Sequence, residues 1–186
     1  MAKPGGPVEL TKLWVKEIVI KHQLCPFAKH PFEKGRIRYV EIEETAEATI
    51  LEQFEKEANT LLATTAVEVE TSLLILTNSF SSFLKYWDFI EQIEDLVFEN
   101  NLEGILQVAS FHPDYQFAGT LPTDPENYTN RSPFPMIHLL REQSVEQAVL
   151  SHPDIERVPI RNVEYMRKYG SPHWQNELEK IQGAID

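Results

Sequence analysis

A single cysteine, Cys25, stands in 186 residues, so no disulfide can form within the chain and the composition suits a reducing compartment. Glycine is scarce, with 7 residues, and Gly104 and Gly119 stand alone. No G-x-G-x-x-G or G-x-x-x-x-G-K spacing exists to cradle a nucleotide phosphate. No apolar run approaches the roughly 20 residues that span a bilayer, which argues against a transmembrane helix and a membrane partner. The opening segment MAKPGGPVELTKLW lacks an apolar core and a small-residue cleavage site, so no secretory signal is read there and a cytoplasmic protein is expected. Positive charge is short as well. With 17 Lys and Arg against 29 Asp and Glu, the formal net charge is −12, which repels phosphate backbones and makes nucleic acid an unexpected partner.

What is present is ordinary for a folded domain: 42% hydrophobic and 25% charged residues. The length predicts one domain over 1–186, with a flexible N-terminus at 1–10 and a peripheral C-terminal segment at 172–186. Leu10, Leu13, Trp14 and Ile18 recur at helical spacing, which predicts a helix over Val8 to His22 that Pro26 stops. Arg36 to Ile42 reads as a strand. Thr45 is the expected N-cap of a helix buried through Phe54, Ala58 and Leu61, and TSLLILT at Thr71 to Thr77 is the clearest strand, apolar enough to be covered on both faces. A long helix over Phe83 to Glu99, lined by Leu84 and Trp87 among others, and a third strand at Gly104 to Phe111 complete the body. Strands joined by helix-length connections favour parallel pairing. The fold class expected is therefore α/β, a small three- to four-stranded, mostly parallel sheet with helices packed on it. A ferredoxin-like α+β sandwich is the alternative, if Ala66 to Glu70 or Tyr115 to Ala118 adds an antiparallel strand.

The densest run of reactive and binding groups is Phe111 to Glu142. Ser132-Pro133 reads as the start of a helix over Pro133 to Glu142, on which Phe134, His138 and Arg141 share a stripe. His112 falls at the end of the third strand, where ligands gather in open α/β sheets. The expected site is one pocket with His112, His138 and Cys25 as catalytic candidates and Tyr115, Asn130, Arg131 and Arg141 as ligand-binding ones. Arginine forks suit carboxylate or phosphate, so a small anionic molecule is the expected partner. The competing structural reading ties Arg131 and Arg141 to loop carboxylates. A divalent metal is a further candidate, held by His112 and His138 with Asp114 or Cys25; no H-E-x-x-H spacing supports it. Cys25 follows a helix C-terminus, where the dipole raises a thiol pKa, so a structural role competes with a nucleophilic one. The alternative function is an interaction or self-assembly module that exposes Phe117, Tyr128 and Phe134.

Three blocks together carry a resemblance: Cys25-Pro26-Phe27-Ala28, QVASFHPDY from Gln107 to Tyr115, and NRSPFPMIHLLRE from Asn130 to Glu142. With them the chain resembles a bacterial family of unknown function, domain-of-unknown-function group 1415, from the first helix to at least Leu150. Phe134 stands where the family pattern has Tyr. The resemblance implies a soluble bacterial protein and supplies no activity.

Overall fold

The computed structural model describes residues 5–151 and 154–183. Residues 1–4 of the expected flexible N-terminus and 184–186 of the expected C-terminal segment lie outside them. The chain opens with α1 (Pro7–Trp14), with Pro7 in the first turn, and continues as a π-helical stretch over Val15–Ile20. Gln23, with φ 55°, turns the chain out toward Pro26. A short α2 (Lys29–Glu33) leads to β1 (Ile37–Ile42), α3 (Glu47–Ala63), β2 (Thr71–Leu76), α4 (Phe83–Glu99) and β3 (Leu106–Phe111). The N-cap of α3 is Ala46, and Thr45 makes no capping bond. A long loop with a 3-10 turn at Pro125–Thr129 precedes β4 (Met136–Arg141), followed by α5 (Glu142–Ser151), α6 (Val158–Tyr169) and α7 (Ser171–Gln182).

The four strands form one sheet in the order β1-β2-β4-β3. Only β1 and β2 pair in parallel; β4 lies antiparallel to both β2 and β3. This corrects the expectation of a mostly parallel sheet. The first three strands do point the same way, as their helical crossovers require, but β4 is inserted between β2 and β3 and runs against both. The added antiparallel strand is neither Ala66 to Glu70 nor Tyr115 to Ala118, which form no strand. It is the segment expected to be helical. Met-Ile-His-Leu-Leu-Arg is a short, nearly continuous apolar run, and in such a run periodicity does not separate a buried strand from a buried helix. Proline at 133 and 135 lies before the strand, where no ladder donor is needed.

Strand alternation sends side chains into two cores. On one face Leu74, Leu76, Ile137, Leu139 and Leu106 pack against Ile50, Phe54 and Leu61 of α3 and Tyr86, Phe89, Ile90 and Ile93 of α4. Leu84 is 75% exposed and Trp87 40%, so they lie off the buried stripe of α4. On the other face Leu73, Ile75 and Met136 meet Trp14, Val15, Ile18 and Val19, together with Met166 of α6 and Trp174 and Ile181 of α7. The C-terminal helix thus contributes two buried anchors to the second core. Among the described residues no helix is long and apolar enough to cross a membrane.

Candidate functional site

The loop of residues 112–135 is an ordered structure held by its own polar groups. His112 is fully buried. Its Nε2 lies 2.8 Å from the Phe80 carbonyl, and its Nδ1 accepts the Asp114 backbone N–H at 2.9 Å. A carbonyl can only accept, so the ring is the neutral Nε2–H form, and burial lowers its pKa. Phe80 presents that carbonyl from a left-handed backbone, φ 57°. The Asn130 side chain donates to Ser110 O at 3.1 Å, and its own carbonyl accepts the His112 N–H. Arg131 donates to Tyr115 O at 3.2 Å and Pro122 O at 2.8 Å and stacks over Tyr128, 4.4 Å from the ring centre. Tyr115 is buried among Phe83, Trp87 and Phe117. Asn127, buried and absent from the sequence-based candidates, takes Phe117 N–H and Thr120 Oγ1 on its oxygen and donates to Leu121 O. Glu126 and Arg167 of α6 form a two-point ion pair that pins the loop from outside. Of the residues expected to form an exposed patch, Tyr128 is buried beneath Arg131, Phe134 is half-buried against the second core and Phe117 is half-buried against Tyr115.

Arg141 is likewise engaged by main chain. Its guanidinium makes five hydrogen bonds, to the carbonyls of Leu61, Thr64 and Val69 and to Thr64 Oγ1. It thereby closes the C-terminal end of α3, where orphan carbonyls need donors. The partners of both arginines are carbonyls rather than the carboxylates considered from the sequence. Because β4 is a strand, His138 and Arg141 do not share a stripe. Nor is there a common C-terminal edge of strands for a pocket, since β4 runs backwards.

His138 and Cys25 line another space, which Arg141 also borders. On the face of the second core, the cross-strand rows Ile37–Thr71–Leu140–Gln107 and Tyr39–Leu73–His138–Ala109 follow from the strand register. Over these rows lies a cavity of about 650 Å³, walled by Trp14, Val15 and Val19, by the Cys25–Pro31 segment and by Val145 and Ala148 of α5. No residue of α5 is buried. Ala109, beside His138 in its row, has only a methyl group to fill the floor. The wall is mainly apolar, and the polar groups among it include Cys25, His30, Arg36, Glu70, Thr71, His138 and Arg141. A second cavity of about 640 Å³ lies beyond Cys25, between it and Arg157, Arg161 and Glu164.

His138 Nε2 is 2.6 Å from Thr71 Oγ1, which is itself 2.5 Å from Leu139 O. His138 Nδ1 has no hydrogen-bond partner among the described residues. Burial pushes the His138 pKa down to about 4, so the ring is neutral near pH 7. Burial also pushes the Cys25 thiol up, partly opposed by the backbone N–H groups of Phe27 and Ala28. Arg36 contacts His30 Nε2 at 3.4 Å and Glu70 at 4.0 Å. Five guanidinium donors are not consumed by these two loose contacts. Arg36, His30, Glu70 and Thr71 were not sequence candidates. Thr71, as the polar head of an apolar strand, was the visible signal, but its meaning depends on pairing with β4. Among the described residues, no group of three or more His, Cys, Asp or Glu side chains is placed to hold a metal ion, so His112, His138, Asp114 and Cys25 do not form the cluster considered above.

The family model described as a protein of unknown function, DUF1415, matches residues 7–176, and the chain belongs to that family. Comparison with curated proteins and with solved structures finds no match.

Proposed function

We propose that the protein binds a small anionic molecule in the cavity over Leu73, His138 and Ala109, with Arg36 receiving the anionic group. One observation carries this reading. A ligand-sized, mostly apolar hollow has a few polar side chains turned toward it, two of which, His138 and Arg36, retain unused hydrogen-bonding capacity. That combination is the usual form of a small-molecule site. Arg36 supplies a fork suited to a carboxylate or phosphate. His138 meets the body of the ligand, and Cys25 stands at the wall as a neutral thiol. His112, Asn130, Arg131 and Arg141 serve as fasteners of the frame around it, since each is tied to main chain by at least one side-chain hydrogen bond.

A thermal-shift screen of aryl and alkyl carboxylates and phosphate monoesters tests the reading, because a ligand that binds only the folded state raises the melting temperature. The expected result is a compound that stabilises the wild type, loses most of its effect on Arg36→Ala and keeps it on Arg131→Lys. A stabilising compound unaffected by Arg36→Ala and abolished by Arg131→Lys would move the site to the loop and overturn the reading.

A further inference from the structure

We infer that the cavity selects ligands that carry a hydroxyl or N–H hydrogen-bond donor on an apolar body, and that Thr71 is the positioning residue that makes His138 an acceptor. The inference rests on the reading of the cavity as a small-molecule site and adds the chemistry of the ligand's inner end.

The argument begins at a carbonyl. Leu139 O has only lone pairs, and at 2.5 Å from Thr71 Oγ1 the hydroxyl hydrogen must lie between them. Thr71 has a single hydroxyl hydrogen, so toward His138 it offers a lone pair. His138 Nε2, 2.6 Å away, is therefore the N–H. A neutral imidazole has one N–H, which leaves Nδ1 as a bare lone pair. The low pKa agrees, since the ring stays neutral until well below pH 7.

Strand register determines where that lone pair is found. Thr71 and His138 are diagonal neighbours on one face, because Leu73 is directly opposite His138 and Leu140 is opposite Thr71. On the far side His138 faces Ala109, and the nearest aromatic, Phe111, is 6.1 Å away between ring centres. The ring is thus held from the Thr71 side and lines the cavity with its other nitrogen unmet. A carboxylate, ether or carbonyl placed there would set lone pair against lone pair. A phenol, indole N–H or alcohol would satisfy it. The anionic group of the same ligand belongs at Arg36, which precedes Ile37, the residue opposite Thr71.

Three compounds of one frame separate these terms: 3-(4-hydroxyphenyl)propionate, 3-phenylpropionate and 3-(4-methoxyphenyl)propionate, titrated into the full chain by calorimetry. The hydroxyl compound is expected to bind about two- to tenfold more tightly than 3-phenylpropionate, the range one hydrogen bond gives. The methoxy compound is expected to gain nothing. The ratio should fall to about one in His138→Leu and in Thr71→Val. Nitrogen-15 NMR of the His138 ring should show the Nε2–H form in the wild type and a mixture in Thr71→Val, a change that lost packing alone does not produce. If 3-phenylpropionate binds as well as the phenol, or the ratio survives both substitutions, donor selection is wrong while the anion-binding cavity stands. If none of the three binds, both readings fall.

Discussion

His138 and Arg141 stand on opposite faces of one strand, three residues apart. His138 belongs with Leu73 and Ala109 on the face of the second core, whereas Arg141 reaches across the first core's edge to the end of α3. The odd spacing puts the imidazole over one sheet face and turns the guanidinium to a helix terminus, although both residues border the same cavity.

Replacing Arg141 by Ala would leave the carbonyls of Leu61, Thr64 and Val69 short of donors. A loss of about 2–4 kcal/mol of stability is expected in urea unfolding. Binding of carboxylates to the folded variant should be retained, because in the proposed site Arg36 receives the anion while Arg141, at the cavity's border, is held to main chain through Nε and Nη2.

His112→Ala breaks two bonds to backbone at a fully buried position and opens a space among Phe83, Tyr86 and Phe80. A cost of about 3 kcal/mol is expected in chemical denaturation, with earlier proteolysis of the 112–135 loop. His112→Gln should recover part of it by supplying a donor to Phe80 O.

Stability should fall as the solution is acidified. The folded-state pKa of His138 is about 4, below its ordinary value of 6.5. Between those values the unfolded chain takes a proton that the folded one does not, so the favourable difference is full above pH 6.5 and disappears down to pH 4. Lowered values at His112 and His22 act in the same direction. His138 alone accounts for on the order of 3 kcal/mol across that window. Urea midpoints from pH 7 to pH 4.5 should drop for the wild type and drop less for His138→Leu.

The thiol of Cys25 should react slowly. Burial raises its pKa above the ordinary thiol range, and thiolate is the reactive form. Iodoacetamide at pH 7.5 should modify the native protein well below the rate for the urea-unfolded chain. Equal rates would place the sulfur in solvent.

Much of the framework was legible. The strands near Arg36 to Ile42, Thr71 to Thr77 and Gly104 to Phe111, and the helices between them, follow from period and punctuation, and the first three strands run the same way as their crossovers require. The fourth strand resembles a helix in sequence because a two-sided, centrally placed strand loses the alternation that distinguishes it. A helix there would put His138 and Arg141 on one stripe, whereas the strand puts them on opposite faces. The wealth of polar groups between Phe111 and Glu142 is a physical signal, since such groups must be satisfied. In a long ordered loop the main chain itself satisfies them, as at Asn127, Asn130 and Arg131. The cavity draws polar groups from Cys25, Arg36, Thr71, His138 and Arg141, which come from separate parts of the chain, and register and helix packing join them.

The most direct test of the binding site is chemical-shift mapping by amide NMR during titration with 3-(4-hydroxyphenyl)propionate. Saturable shifts at Leu73, Ala109, Leu140 and Val145, with the loop of residues 112–131 unmoved, are predicted. Shifts confined to that loop, or no saturable shift at millimolar ligand, would contradict the account.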